Sequence, residues 1–161
     1  MSLAVTCTIT RSVAAEVTRT FDEVVAEDIL PKVLLASTLL PGVVGTGGYT
    51  GRWDTAGSRR EISFTDGSTA REQVTEWIRP GRFAYRVDSF TNILGRMVTH
   101  ATGEWGFWPR ATGSGFTWTY TFHARSRVVE PILRLFVATL WRGYMRRCAD
   151  RCVQLAEHTA A

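Results

Sequence analysis

Three tyrosines and two glutamates are the side chains of this chain whose types and spacing could support chemistry. Tyr49, Tyr85 and Tyr120 lie among strand-like segments, and a phenol inside an apolar chamber can hydrogen-bond a ketone or an enol. Glu72 and Glu76 share their strand parity with apolar residues, so one carboxylate could point inward. Burial would raise the pKa of that carboxylate and make it a candidate general acid or base.

A β-bulge in this strand is the alternative interpretation. It would turn both glutamates to solvent and place Trp77 inside. We expect Glu76 to face solvent, and we retain Glu72, Tyr85 and Tyr120 as the candidate catalytic side chains.

The cysteine spacing does not predict a metal site. Cys148 and Cys152 are four residues apart, which suits two ligands on one helix face. However, Cys7 falls on an apolar strand face and His158 lies near the end of the chain, so neither completes a zinc set. We therefore predict reduced, metal-free thiols.

Glycine-rich sequence does not indicate a cofactor either. The segment GTGGYTG (residues 45–51) follows a turn and does not precede a helix, as a phosphate-binding loop would. No nucleophile elbow or dinucleotide fingerprint is present. The sequence accordingly predicts no cofactor.

The composition is that of one soluble globular domain spanning residues 1–161, with 45% hydrophobic and 21% charged residues. No apolar run approaches the roughly 18 residues of a membrane span, and the first residues do not resemble a signal peptide. Three cysteines, an odd number, do not suggest a disulfide framework. We expect a cytoplasmic protein without an integral membrane segment.

The net charge of +4 comes from eighteen arginines and one lysine against fifteen acidic residues. Most of the arginines are scattered, so nucleic-acid binding is not predicted. One run follows a side of the predicted last helix. A solvated face is its simpler interpretation, and contact with an anionic membrane or an acidic partner is the alternative. This run comprises Arg142, Arg146, Arg147 and Arg151.

The order of elements predicts an α+β fold with one antiparallel sheet. Alternating apolar residues predict a first strand over residues 5–13, and short helices follow over 18–26 and 29–35. Turn signals divide residues 44–125 into six further strands, among them Asp66-Gly67 and Pro80-Gly81. A long helix over 131–157 closes the chain, with an apolar stripe at helical spacing. The stripe comprises Leu133, Phe136, Val137, Leu140, Tyr144, Cys148, Cys152 and Leu155.

The segment GEWGFWPRATGSGFTWTYTF (residues 103–122) predicts an aromatic hairpin. If its turn lies between Ala111 and Thr112, Trp105 faces Trp118 and Gly103 faces Tyr120. The same register pairs Phe107 with Phe116 and Ala101 with Phe122, and it places His100 opposite His123 on the polar face. Pairing large rings with small residues suits a dense core as well as an open chamber, so this pattern leaves both possibilities open.

The series TGRWDTAGSRREISFTDGSTAREQVTEW, PGRFAYRV, GEWGFWP and GSGFTWTYTF, followed by the closing helix, resembles the SRPBCC (START-related) superfamily. More narrowly, it resembles the polyketide cyclase/dehydrase-like members of bacteria. The resemblance extends over about residues 5–155. It implies a helix-grip fold: a seven-stranded antiparallel sheet curled around a long C-terminal helix, with two short helices after strand 1 and an apolar cavity between sheet and helix.

The function that this resemblance implies is binding of a hydrophobic small molecule, polyketide-like or lipid-like. The alternatives are a cyclase or aromatase that promotes aldol cyclisation and dehydration in the cavity, and a partner-binding domain whose cavity is incidental. Two or more inward ionisable groups would favour the enzyme, and an all-apolar chamber the carrier. The sequence does not indicate an oligomeric state. The side chains expected to surround the ligand are Phe64, Trp77, Tyr85, Trp105, Trp118, Tyr120, Phe122, Phe136 and Leu140.

Overall fold

A computed structural model describes residues 3–159 of the chain. Seven antiparallel strands form one curled sheet in the order β1-β7-β6-β5-β4-β3-β2. The predicted α+β class and helix-grip architecture are confirmed. The strands are β1 (Ala4–Val13), β2 (Val43–Gly47), β3 (Arg59–Phe64), β4 (Thr69–Ile78), β5 (Arg82–Asp88), β6 (Val98–Arg110) and β7 (Gly113–Ala124).

The helices lie between β1 and β2 and after β7, with one additional turn before β6. In the first of them, the Glu16 carboxylate accepts hydrogen bonds from the backbone N–H groups of Thr18 and Arg19, which caps the helix. The helices are α1 (Val17–Val24), α2 (Leu30–Val33), α3 (Leu94–Met97), α4 (Glu130–Phe136) and α5 (Arg142–Thr159), and a π-helical turn (Val137–Trp141) joins α4 to α5.

The aromatic hairpin has the predicted register. Trp105 pairs with Trp118 and Gly103 with Tyr120. The two indoles stack with their centroids 4.7 Å apart and their planes 7° from parallel, and Trp118 is only 3% exposed. The predicted pair of His100 and His123 also stacks, at 4.1 Å. The sequence therefore predicted correctly which residues of β6 and β7 face one another.

The two faces of the sheet differ as the alternation of the strands predicts. On the outer face, threonine hydroxyls of β1 and β7 form a ladder of hydrogen bonds at 3.0–3.1 Å. On the inner face, Cys7, Ile9, Phe116 and Phe122 are almost fully buried against the helices. The inner face is consequently the one that any internal cavity must adjoin.

A register shift in β4 settles how its glutamates point. The shift lies between Val74 and Glu76. Before it, Glu72 points inward and is 3% exposed. After it, Glu76 turns outward and pairs with Arg82 at 2.6 Å, while Trp77 packs edge-on against Phe21 on the inner side. The bulge therefore separates the two glutamates and does not move them together.

The π-helical turn changes the face that the last helix presents to the sheet. The Arg142 backbone N–H donates to the Val137 carbonyl, five residues back, which inserts an extra residue into the turn. Trp141 therefore packs against Tyr120, with ring centroids 4.9 Å apart, although Trp141 and Leu140 are both half-buried. Uniform helical spacing predicted that Leu140, and not Trp141, would face the sheet, because sequence periodicity does not reveal a π turn.

The loops gather at two opposite ends of the sheet. The α4 end, where β7 runs into α4, carries residues 34–42, 65–68, 89–97 and 125–129. The α1 end, where β1 runs into α1, carries residues 14–16, 48–58, 79–81 and 111–112.

The ring of Tyr85 fills the space that Gly103 leaves on the inner face. These residues pair across β5 and β6, and a β-carbon at Gly103 would stand 2.1 Å from the tyrosine Cζ. We predict that Gly103→Ala destabilises the protein by about 1–3 kcal/mol, because the buried ring has to move. Urea unfolding measures this loss.

The matched control for this substitution is Gly106→Ala, on the same strand, where no atom lies within 4 Å of the added carbon. Its unfolding midpoint should stay close to that of the parent. Equal losses in the two variants would mean that the effect belongs to the strand and not to the close approach of Tyr85.

Candidate functional site

A cavity of about 270 Å³ lies between the inner face of the sheet and the last helix and extends to the loops of the α4 end. Strand residues form its inner wall, and the π turn contributes Trp141. Its lining residues are Leu30, Leu34, Leu39, Leu40, Pro41, Val43, Ile62, Phe64, Asp66, Glu72, Tyr85, Val87, Phe90, Asn92, Ile93, Leu94, Met97, Trp118, Tyr120, Phe122, Phe136, Trp141 and Tyr144.

Two tyrosine hydroxyls distinguish the polar part of this wall. The Tyr85 hydroxyl accepts a hydrogen bond from the Trp118 indole N–H at 3.1 Å. The Tyr120 hydroxyl makes no hydrogen bond to another residue in the range 3–159, and the residue borders the cavity and is 7% exposed. Burial raises the pKa of both phenols, and the charge of Glu72 raises them further. Both hydroxyls therefore remain protonated donors at neutral pH.

Glu72 brings a carboxylate to the same wall and is held there by Arg60. Arg60 Nε donates to Glu72 Oε2 at 2.7 Å, and the two side chains are 2% and 4% exposed. Burial raises the pKa of Glu72, while the neighbouring guanidinium opposes that shift. The cavity wall therefore contains one member of a buried ion pair, Glu72, together with two phenols.

The guanidinium of Arg60 has partners on three sides. Besides Glu72, it donates from Nη1 to the Glu27 carbonyl at 2.7 Å and lies over the Trp53 ring, 3.6 Å from its centroid. Arg60 was not predicted from the sequence. Strand alternation could have revealed it, because Arg60 lies two residues before the buried Ile62 in β3 and therefore points to the same, inner face.

Most of the side chains expected to surround a ligand line this cavity, and three do not. Trp105 borders a separate void of about 40 Å³ deeper under the helix, beside Cys148 and Cys152. Trp77 borders a second surface pocket, at the α1 end, together with Trp53. Because of the π turn, Trp141 lines the cavity where Leu140 was expected. Those that do line the cavity are Phe64, Tyr85, Trp118, Tyr120, Phe122 and Phe136, with Glu72.

Lining residues that sequence reasoning missed come mainly from loops. Leu39 and Ile93 lie in loops of the α4 end, where no hydrophobic periodicity reveals which side chains turn inward. Trp141 was missed for the reason given above. Its indole N–H is buried and has no hydrogen-bond partner among the described residues.

The three cysteines are free and buried. A hydrogen bond between Cys148 and Cys152, together with burial, raises the pKa of the Cys148 thiol. Within residues 3–159 no group of three or more potential ligands is arranged to hold a metal ion. In the same range, no helix is long and apolar enough to cross a membrane.

The curled sheet, the long C-terminal helix and the cavity between them define a member of the SRPBCC superfamily. The chain belongs to the family described as polyketide cyclase / dehydrase and lipid transport, whose model matches residues 4–157. No curated protein sequence matches it.

Several solved structures share the fold at low sequence identity. The di-domain aromatase/cyclase StfQ of the steffimycin biosynthetic pathway is 18% identical with a TM-score of 0.71, and the match covers 98% of this chain and 52% of StfQ. Norcoclaurine synthase from Thalictrum flavum is 12% identical with a TM-score of 0.70, covering 100% and 99%. The Panax ginseng major latex-like protein 151 is 11% identical with a TM-score of 0.69, covering 94% and 96%.

The buried pair leads to a stability prediction. We expect Arg60→Leu to cost about 3–5 kcal/mol near pH 8, because it leaves the Glu72 carboxylate buried and unpaired. Without the guanidinium, burial raises the pKa of Glu72 still further above the ordinary value of 4.5. The folded variant then keeps a proton that the unfolded chain releases, so its deficit should shrink towards about pH 5 and grow as pH rises.

Urea unfolding at both pH values measures this deficit. Arg79→Leu is the matched control, since Arg79 pairs with Asp22 at the surface, and its smaller deficit should not follow this pH trend. The double variant Arg60→Leu/Glu72→Leu should recover much of the loss. A deficit in Arg60→Leu that is the same at both pH values and persists in the double variant would contradict the argument.

Proposed function

We propose that this protein binds a hydrophobic small molecule, polyketide-like or lipid-like, that carries a carbonyl or hydroxyl oxygen. The observation that carries the proposal is the Tyr120 hydroxyl, which makes no hydrogen bond to another described residue and borders a mostly apolar cavity. Because this hydroxyl makes no hydrogen bond to another described residue, it is available to donate to a ligand oxygen in place of water. The apolar wall supplies affinity and the hydroxyl supplies orientation.

The family description and the shared fold support binding of this kind, and the size of the cavity suits a small organic molecule. The Tyr85 hydroxyl, fixed by Trp118, lies in the same wall and offers a second donor to the ligand oxygen. Native mass spectrometry of the purified protein, followed by extraction of any retained compound, tests the proposal directly.

A matched pair of probes tests the role of the hydroxyl. We predict that the protein binds 2-acetylnaphthalene more tightly than 2-ethylnaphthalene by about 0.5–1.5 kcal/mol, the worth of one hydrogen bond. Tyr120→Phe should abolish this preference without lowering the stability of the free protein, because the hydroxyl has no partner to lose. Calorimetric titration measures the two affinities.

The control for that substitution is Tyr144→Phe. The Tyr144 hydroxyl also borders the cavity but already donates to the Pro41 carbonyl at 2.9 Å, so its removal should leave the ketone preference in place. If Tyr120→Phe kept the preference for the ketone, the Tyr120 hydroxyl would not be the group that binds the ligand oxygen.

Catalysis of cyclisation is the second candidate function, and it is favoured by the ionisable groups that border the cavity, Glu72, Tyr85 and Tyr120, as expected for the enzyme. A carboxylate in the same cavity as two protonated phenols can remove a proton from the carbon next to a ketone, while a phenol stabilises the enolate oxygen that results. The enolate is the nucleophile that an aldol condensation requires. The cavity would then also restrict the conformations of the substrate chain.

Hydrogen exchange tests this chemistry without the natural substrate. If Glu72 acts as the base, the protein should catalyse exchange of the methyl hydrogens of 2-acetylnaphthalene in deuterated water, followed by proton NMR. Glu72→Gln should slow the catalysed exchange by about 10²–10⁴-fold. Glu76→Gln, on the outer face, should not. Equal exchange rates in the parent and Glu72→Gln would exclude Glu72 as the base.

A further inference from the structure

Exposed apolar side chains are concentrated at the α4 end of the protein. Six of the ten large hydrophobic residues that are exposed in the described part of the chain lie in the loops of this end or on α4. Five of them form a group that we call the rim: Leu39 (68% exposed), Ile93 (65%), Val128 (82%), Ile132 (60%) and Leu135 (65%).

The rim is continuous with the cavity. Leu39 and Ile93 line the cavity and are exposed at the same time, so they mark its mouth. Ile132 and Leu135 precede the lining residue Phe136 by four residues and one residue on α4. Arg125 donates from Nη2 to the carbonyls of Gly95 and Val98 and so ties the loop before α4 to the loop that carries Ile93.

The charge around the rim is positive. The four loops of the α4 end contain three arginines, Arg96, Arg125 and Arg127, and one carboxylate, Asp66. None of the three arginines forms a salt bridge within residues 3–159, and all are exposed. On α4 itself, Arg134 and Glu130 neutralise one another.

We propose that the α4 end docks on an anionic lipid bilayer, with the rim inserted among the acyl chains and the three arginines at the headgroups. Apolar side chains surrounded by cations suit an anionic membrane, where each arginine contributes attraction at the surface and each inserted side chain removes apolar area from water. Docking brings the mouth of the cavity to the apolar phase, so a hydrophobic ligand transfers without crossing water. The role of docking in ligand transfer rests on the proposed function, whereas the measurement of vesicle binding does not depend on it.

An acidic protein is the competing partner, and exposure of the rim argues against it. Leu39, Ile93 and Val128 are on three separate loops, and each is at least 65% exposed, which suits insertion into a fluid phase. A flat protein interface needs contiguous, shape-matched area. The predicted run of arginines on the last helix lies outside this end, and the proposal does not require it.

Co-sedimentation with lipid vesicles tests the proposal. The parent should bind vesicles that mix phosphatidylglycerol with phosphatidylcholine, and should bind pure phosphatidylcholine vesicles more weakly. Ile132→Ser/Leu135→Ser should lower the affinity for mixed vesicles by at least about tenfold, because both substitutions remove apolar area that the acyl chains cover. Arg96→Gln/Arg127→Gln should reduce binding and its dependence on salt.

The matched control is Ile78→Ser, an equally apolar and 56% exposed residue at the α1 end. It should bind vesicles as the parent does. The affinity of the rim variants for 2-acetylnaphthalene is measured without vesicles. An unchanged affinity would show that the cavity is intact, so a loss of vesicle binding can be distinguished from a loss of ligand binding. No binding of the parent to anionic vesicles, or equal losses in the rim and control variants, would overturn the inference. Salt-sensitive binding to poly-glutamate without binding to vesicles would overturn it too.

Discussion

The pairing of β6 with β7 is the constraint on which the inner face of the protein depends. Because side chains alternate along a strand, a shift of one residue would turn Trp118 and Tyr120 to solvent and bring threonines inside. The stacked Trp105 and Trp118 rings oppose such a shift, since moving them would expose two indoles. With this register fixed, Gly103 lies between Tyr85 and Tyr120, and its missing side chain allows the Tyr85 ring to lie flat.

An open cavity needs walls that do not collapse, and ring-to-ring contacts supply them here. Trp141 contacts Tyr120 and Phe122 at centroid distances of 4.9 and 5.1 Å and also packs against Tyr144. The Tyr144 hydroxyl in turn holds the Pro41 carbonyl of a loop at the α4 end. Because Trp141 contacts these three rings, closing the cavity would break several ring contacts at once.

The parts of the fold that follow a local period could be predicted, and the parts that break it could not. Alternation gave the strands, and the aromatic hairpin gave the pairing of Trp105 with Trp118. The same reasoning failed at Leu140, because the π turn rotates Trp141 into its place, and it missed the loop residues Leu39 and Ile93, whose direction depends on tertiary contacts. Arg60 was predictable in principle, but a charged side chain on an inner face contradicts the usual preference of such residues for water.

That contradiction is informative about the site. Removing a carboxylate and a guanidinium from water is expensive, and an apolar pair of similar volume at positions 60 and 72 would often be at least as stable. The cost is offset here by specific contacts: the Glu72 carboxylate, the Glu27 carbonyl and the Trp53 ring surround one guanidinium. A core that only had to be stable would not need this arrangement. If the cavity presents a carboxylate beside two protonated phenols, as in the second candidate function, Arg60 has a clear role: it fixes the position of Glu72 and opposes the rise in the Glu72 pKa that burial causes.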